Sequence, residues 1–345
     1  METISPKDNH YLIGHETAEN MILKTWQNHT LPHALLITGP KGIGKATLAY
    51  KIARFLLSAD EKQASQYKNL DVSPNSEVFR QISTFSHPDF RLLEKNYIKT
   101  DRQKIYKAIS SGNYMSDEEL KNLKKSNEIV VEDVRKIHDF LAKRSAYDNW
   151  RVVIVDSADD MNSSSANALL KTLEEPPHKT LLILISNNVF SLLPTIRSRC
   201  TKIELSPLSQ NNLCSLLRRY RPQTSENAIK QISSMSKGSI GKAIMYNDYD
   251  AIDFYSQIEE LTDNSTNFNI KSMLDFCTFA ASNERYDLFP EMLEIFIAGK
   301  IRQGQHVEEY ASLFSQSMEI FKDVEIINMD KKQAILNIMV KLTKI

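Results

Sequence analysis

Ala34-Leu35-Leu36-Ile37-Thr38-Gly39-Pro40-Lys41-Gly42-Ile43-Gly44-Lys45-Ala46-Thr47 decides the fold. A short apolar run reads as a buried strand. It feeds a glycine-rich loop, and Ala46 to Leu57 then has the spacing of a helix. Strand, loop and helix in that order are the context of a phosphate loop. Its glycines let backbone N–H groups turn inward around a phosphate, and the helix N-terminus adds partial positive charge. Gly39, Pro40, Lys41, Gly42, Ile43, Gly44 and Lys45 are therefore the candidate nucleotide-binding residues, with Lys45 reaching the terminal phosphates. The next position should offer a Ser or Thr hydroxyl to magnesium. It holds Ala46, and the hydroxyl arrives one residue late, on Thr47. Successive helical residues point about 100° apart, so Thr47 is no direct substitute. ATP or ADP with magnesium is expected to bind weakly or not at all.

Outward from this loop, apolar runs alternate with amphipathic helical stretches as far as about Leu205. The runs are Ala34–Thr38, Phe90–Leu93, Val152–Asp156, Leu181–Ser186 and Lys202–Leu205. That alternation predicts a parallel sheet with helices on both faces, an α/β core over residues 1–205. Residues 58–127 are polar and charge-rich and read as an insertion around the second strand. Residues 206–246 read as a small helical lid. Residues 247–345 show only helical spacing, as in Met292, Ile295 and Phe296, then Ile335, Ile338, Met339 and Leu342. Pro290 and Gly304 mark breaks between those helices.

Composition narrows the function. With 345 residues, more than one domain is expected. Lys plus Arg equals Asp plus Glu at 43 each, which argues against a broad nucleic-acid face. The clusters Lys121-Asn122-Leu123-Lys124-Lys125 and Arg218-Arg219-Tyr220-Arg221 read as solvated helix faces before DNA contacts. Met1 to His10 lacks the apolar stretch of a signal peptide, and runs such as Leu181–Ile185 are too short to cross a bilayer. Cys200, Cys214 and Cys277 form no CxxC pair or disulfide framework and read as small buried hydrophobes. The eight histidines show no ligand spacing, so no metal site is assigned. A cytoplasmic, reduced protein is expected.

Val152-Val153-Ile154-Val155-Asp156 has the form of a Walker B strand, where Asp156 would hold a metal-bound water beside the phosphates. The bland alternative is an Asp capping the next helix. Ser157 follows, a poor general base at neutral pH. Further on come Asn167-Ala168-Leu169-Leu170-Lys171-Thr172-Leu173-Glu174-Glu175-Pro176-Pro177 and Ile196-Arg197-Ser198-Arg199-Cys200. Upstream stand Leu12-Ile13-Gly14-His15, Pro32-His33-Ala34, His87-Pro88-Asp89 and Asn149-Trp150-Arg151-Val152. Together, over residues 10–245, these resemble the AAA+ clamp-loader subunits of bacterial DNA polymerase III holoenzyme.

The resemblance implies an AAA+ P-loop core, a lid, and an all-helical oligomerisation collar over residues 247–345. It places Asn187 at sensor 1. It places Gly241, within Lys237-Gly238-Ser239-Ile240-Gly241-Lys242, at sensor 2, where hydrolysing subunits carry Arg. Ala46, Ser157 and Gly241 together resemble the delta-prime branch rather than the gamma/tau motors. The implied role is a stator that turns over no ATP alone and supplies Arg199 in trans as an arginine finger. Arg199 would act through its planar, permanently charged fork. The implied partners are gamma/tau and delta subunits in a hetero-oligomer, with the sliding clamp and primed DNA met through the complex and no membrane. Many relatives of this branch carry a four-cysteine zinc module in the insertion. This chain has no Cys between residues 58 and 150, so no zinc is expected. Two alternatives stand beside the stator: a gamma/tau-like motor using Thr47 with Asp159 or Asp160, and a stand-alone P-loop transferase.

Overall fold

A computed structural model describes residues 5–112, 115–116, 119–120, 123–147, 149–262, 269–282, 285–327 and 329–345. Met1 to Ile4 of the N-terminal stretch, and Lys121 and Asn122 of the first basic cluster, lie outside the described residues. The chain divides into two compact units, residues 1–207 and 208–345.

In the first unit, β1 (Ala34–Thr38), β3 (Arg151–Val155) and β4 (Thr180–Ser186) are buried at every position. Their near-continuous apolar sequence is what strands covered on both faces require. The flanking β2 (Phe90–Leu93) and β5 (Thr201–Glu204) are only partly buried. The sheet order β2-β3-β4-β1-β5 explains this, since those two strands form the edges. Every pairing is parallel, with Leu36 opposite Leu184 and Ile154 opposite Ile183. The α/β parallel sheet expected from the alternating runs is therefore the one found.

Side chains alternate across the sheet and feed two cores. Val152, Ile154 and Ile183 pack on one face with Trp26 of α1 (Glu16–Gln27) and Ile52 and Phe55 of α2 (Lys45–Ser58). Val153, Val155 and Leu182 pack on the other with Val134 of α5 (Val131–Leu141) and Leu169 of α6 (Ser163–Glu174). Among its described residues the polar insertion carries the helices α3 (Glu77–Ser83) and α4 (Lys99–Ser110). Its first part is held by packing and polar ties. The Tyr67 ring meets Trp26 at 5.5 Å and Phe55 at 5.3 Å. Glu61 accepts from Trp150 Nε1 at 2.9 Å and pairs with Lys179 at 3.0 Å. Among the described residues, no group of three or more His, Cys, Asp or Glu side chains could hold a metal. Elemental analysis of protein purified in metal-free buffer should find well under one zinc per chain. A stoichiometric value would mean a ligand set built from His, Asp or Glu.

The second unit is wholly helical among its described residues. In order come α8 (Gln210–Tyr220), α9 (Glu226–Met235), α10 (Ile240–Asp248), α11 (Ala251–Thr262), α12 (Ile270–Ala280), α13 (Leu288–Arg302), α14 (Val307–Ile327) and α15 (Lys331–Leu342). One apolar core runs from Cys214 and Leu217 through Tyr246 to Phe254, Phe289 and Ile338. The lid helices and the C-terminal helices thus share their packing, and no break in it falls at residue 246. Gly304 closes α13 as a Schellman turn at φ +73°, with Gly304 N–H on Ile301 O and Gln305 N–H on Lys300 O. Pro290 lies in the first turn of α13, where its missing N–H breaks no bond. Arg218 makes a two-bond ion pair with Glu226, and Arg221 does so with Asp248. Arg218 and Arg221 are therefore neutralised within the fold. No helix among the described residues is long and apolar enough to cross a membrane.

Candidate functional site

Gly39 leaves β1 at φ +142°, and Gly42 and Gly44 follow at +81° and +108°. Only glycine adopts this series of conformations without strain. At Gly39 a side chain is excluded outright, because a Cβ would lie 2.4 Å from Leu205 O. Pro40 and Lys41 are exposed at the tip of the loop, and Ile43 is buried beneath it. His15, 4% exposed, braces the loop from below through Nε2, 2.7 Å from Ile43 O. This bracing gives the Leu12-Ile13-Gly14-His15 stretch a structural purpose that the sequence reading did not assign.

Lys45 opens α2 and is 4% exposed. Its Nζ donates to Gly39 O at 2.7 Å, Pro40 O at 2.6 Å and Asn187 Oδ1 at 2.8 Å. The ammonium is thus turned onto the loop's own carbonyls and onto the residue expected at sensor 1. Burial pushes its pKa down to about 8, against the pull of Asp159 and Asp156. Ala46 presents a methyl group where a magnesium hydroxyl belongs, and Thr47 is buried in the helix. Asp156 follows the end of β3, its N–H bonded to Leu93 O. Burial raises its carboxyl above the ordinary range and Glu94 adds to this, while Ser157 and Lys45 pull it down. The loop turns backbone N–H groups and the Lys45 ammonium toward one place, and Ala46 adds no hydroxyl there.

The position after Asp156 is Ser157, left-handed at φ +59°. The chain then turns through Ala158–Asp160. Asp159 lies in this turn and accepts four bonds from the last residue of β4 and the segment after it. Its Oδ1 takes Ser186 Oγ at 2.6 Å and Ser191 Oγ at 3.2 Å. Its Oδ2 takes the N–H groups of Asn187 at 2.6 Å and Asn188 at 3.3 Å. Asp159 therefore fixes the backbone from which Asn187 reaches Lys45. Asp160 pairs with Lys95 at 3.0 Å. Both oxygens of Asp159 and one oxygen of Asp160 are engaged in these contacts.

Arg199 stands between α7 (Pro194–Arg197) and β5, and its partners do not come from the phosphate loop. Nη1 donates to Thr195 O at 3.1 Å, and Nη2 pairs with Glu174 at 2.8 Å. Glu174 ends α6, so two of the stretches that carried the resemblance meet in one ion pair. The pair is open to solvent, with the Arg199 side chain 36% exposed. Sequence reasoning missed Glu174, which is 25 positions away and has no local signal. Gly241 lies in the first turn of α10, in the second unit.

The family model for the DNA polymerase III delta subunit matches residues 14–209, which hold both the phosphate loop and Arg199. The chain belongs to that family. It is 31% identical to DNA polymerase III subunit delta' of Pseudomonas aeruginosa, over 60% of this chain and 53% of that one. The Escherichia coli delta' subunit is 28% identical over 61% of this chain and 53% of its own length. A gamma subunit from Buchnera aphidicola is 27% identical over 69% and 57%. The chain therefore spans little more than half the length of the curated relatives it matches. The family match ends at residue 209, so the helical second unit lies almost wholly beyond it.

Proposed function

We propose that this member of the delta-subunit family is a clamp-loader stator. In this reading it keeps the nucleotide-binding shape, hydrolyses no ATP itself, and lends Arg199 to the ATP site of a neighbouring subunit. The names of its relatives, delta' and gamma, support a place in the DNA polymerase III clamp loader. Gamma/tau and delta subunits would then be its partners, and the sliding clamp and primed DNA its targets through the complex.

The observation that carries the non-hydrolysing part is the commitment of Asp159. A motor would need a free carboxylate after Asp156 to draw a proton from water. Ser157 occupies that position, Asp159 is held by four donors, and Asp160 is paired with Lys95. The gamma/tau-like alternative asked Asp159 or Asp160 for that service. Arg199 is favoured as the exported group because it is half-exposed and held at two points. A guanidinium has five donors in a fixed fork, so three remain to meet a phosphate.

The test is steady-state ATP hydrolysis by the isolated protein beside a Lys45→Ala control. Both should give the same background rate. Turnover near one per second, an ordinary enzyme rate, that disappears in the control would overturn the reading.

A further inference from the structure

Helix α4 (Lys99–Ser110) buries a single side chain, Asp101. Lys99, Gln103, Tyr106, Lys107 and Ser110 recur at helical spacing and share its outward face, and all are exposed. That face holds no carboxylate. Asp101, the only acid on the helix, points the other way, where it takes Lys104 Nζ at 2.6 Å and Lys124 N–H at 2.9 Å. The base of the helix is fixed, with Ile98 N–H on Lys124 O at 2.9 Å and Ser126 N–H on Asn96 O at 2.7 Å. Lys124 is thereby held beside the start of α4, itself exposed. Among the described residues, Lys99, Lys107 and Lys124 form no ion pair, and the Tyr106 ring is 64% exposed beside them. Residues 99–125 carry seven basic and four acidic side chains, in a chain whose formal net charge is zero.

We propose that the outward face of α4 binds single-stranded nucleic acid, the lysines meeting phosphates and Tyr106 stacking on a base. Cationic side chains along a backbone path with an aromatic platform between them are the ordinary equipment of single-strand binding. Lys99 and Lys107 lie about 12 Å apart along the helix axis, which leaves room for a base on the ring between them. A membrane surface would ask for an apolar stripe along the helix, and α4 exposes only Tyr106 and Ile109 as large apolar side chains. A protein interface would ask for a larger apolar centre.

The experiment is fluorescence anisotropy of the full chain with labelled oligothymidylate, long enough for a site of about 4–16 nucleotides, across a salt series. Binding should weaken with salt, and Lys99→Glu with Lys107→Glu should lower affinity at least tenfold. Replacing both lysines by Gln should flatten the slope of log affinity on log salt by about 1.4, two phosphates at about 0.7 each. Tyr106→Ala should lose roughly tenfold and Tyr106→Phe little, since stacking needs the ring and not the hydroxyl. Lys62→Gln, which removes an exposed lysine outside residues 99–125, should bind the oligonucleotide as the parent does. No binding by the parent chain, or unchanged affinity and salt slope in the lysine variants, would overturn the proposal. So would polyglutamate competing as well as the oligonucleotide while Tyr106→Ala has no effect.

Discussion

Arg199→Ala is expected to leave the chain folded and assembled while slowing DNA-stimulated ATP hydrolysis by the complex it joins. In the isolated subunit the side chain contributes one solvent-exposed ion pair with Glu174 and one bond to Thr195 O. An exposed pair of this kind contributes at most about 1 kcal/mol, so the melting temperature should hardly move. At a neighbouring active site the same guanidinium would face charge developing on the transferred phosphoryl group. Arginine fingers in other nucleotide hydrolases contribute about 10³ to 10⁵ in rate. Total turnover should fall by less, because only one of several ATP sites would border this subunit. Clamp loading should fall further than hydrolysis if the sites fire in a coupled order. Arg199→Lys should rescue poorly, since an ammonium keeps the charge and lacks the fork. Reconstituted complexes carrying Arg199→Ala that load clamps and hydrolyse ATP at the parental rate would reduce Arg199 to a surface charge.

Which features were legible in the sequence follows from how local their causes are. The phosphate loop is set by glycines within a few residues of one another, each needed where the backbone turns left-handed, so its place could be read directly. The buried strands β1, β3 and β4 announced themselves because a strand covered on both faces must be apolar throughout. Asp159 was read only as a stand-in for the missing base. Its partners Ser186, Asn187, Asn188 and Ser191 lie 27 to 32 positions away, joined to it by the pairing of β3 with β4. A carboxylate bonded across two strands leaves no periodicity to find.

The helical half was read least completely for a related reason. Helical spacing showed which side chains point inward: Met292, Phe296, Ile335, Ile338, Met339 and Leu342 are buried, and Ile295 is partly buried against the same core. Spacing cannot show which helices share a core. Tyr246 makes the point, because its ring joins the cluster of Phe254 and Phe289 and its hydroxyl donates to Glu291. The last of the expected lid residues is thereby tied to α13 by both packing and a hydrogen bond to a carboxylate.

Gly39→Ala is expected to destabilise the first unit by about 3–5 kcal/mol, the scale of the larger single-residue losses. Two costs combine at this position. At φ +142° the backbone lies where a Cβ is strained, worth about 1–3 kcal/mol. The added methyl would also lie 2.4 Å from Leu205 O and 2.8 Å from Ile43 Cδ1. The isoleucine end can rotate aside, but the carbonyl belongs to the chain leaving β5, where Leu205 N–H is bonded to Thr38 O at 2.8 Å. Relief would therefore pull β5 from β1 at the mouth of the phosphate loop. Gly112→Ala supplies the comparison, because Gly112 is also left-handed, at φ +72°, with nothing within 4 Å of an added Cβ. It should cost about 1 kcal/mol from backbone preference alone. At about 2–4 °C per kcal/mol for a unit of this size, Gly39→Ala should melt roughly 10 °C below the parent and Gly112→Ala only a few degrees below. Urea unfolding at constant slope should give the same ranking. Equal losses in the two variants would show that the close approach of Leu205 O is relaxed at no cost, and that the loop is held by backbone preference alone.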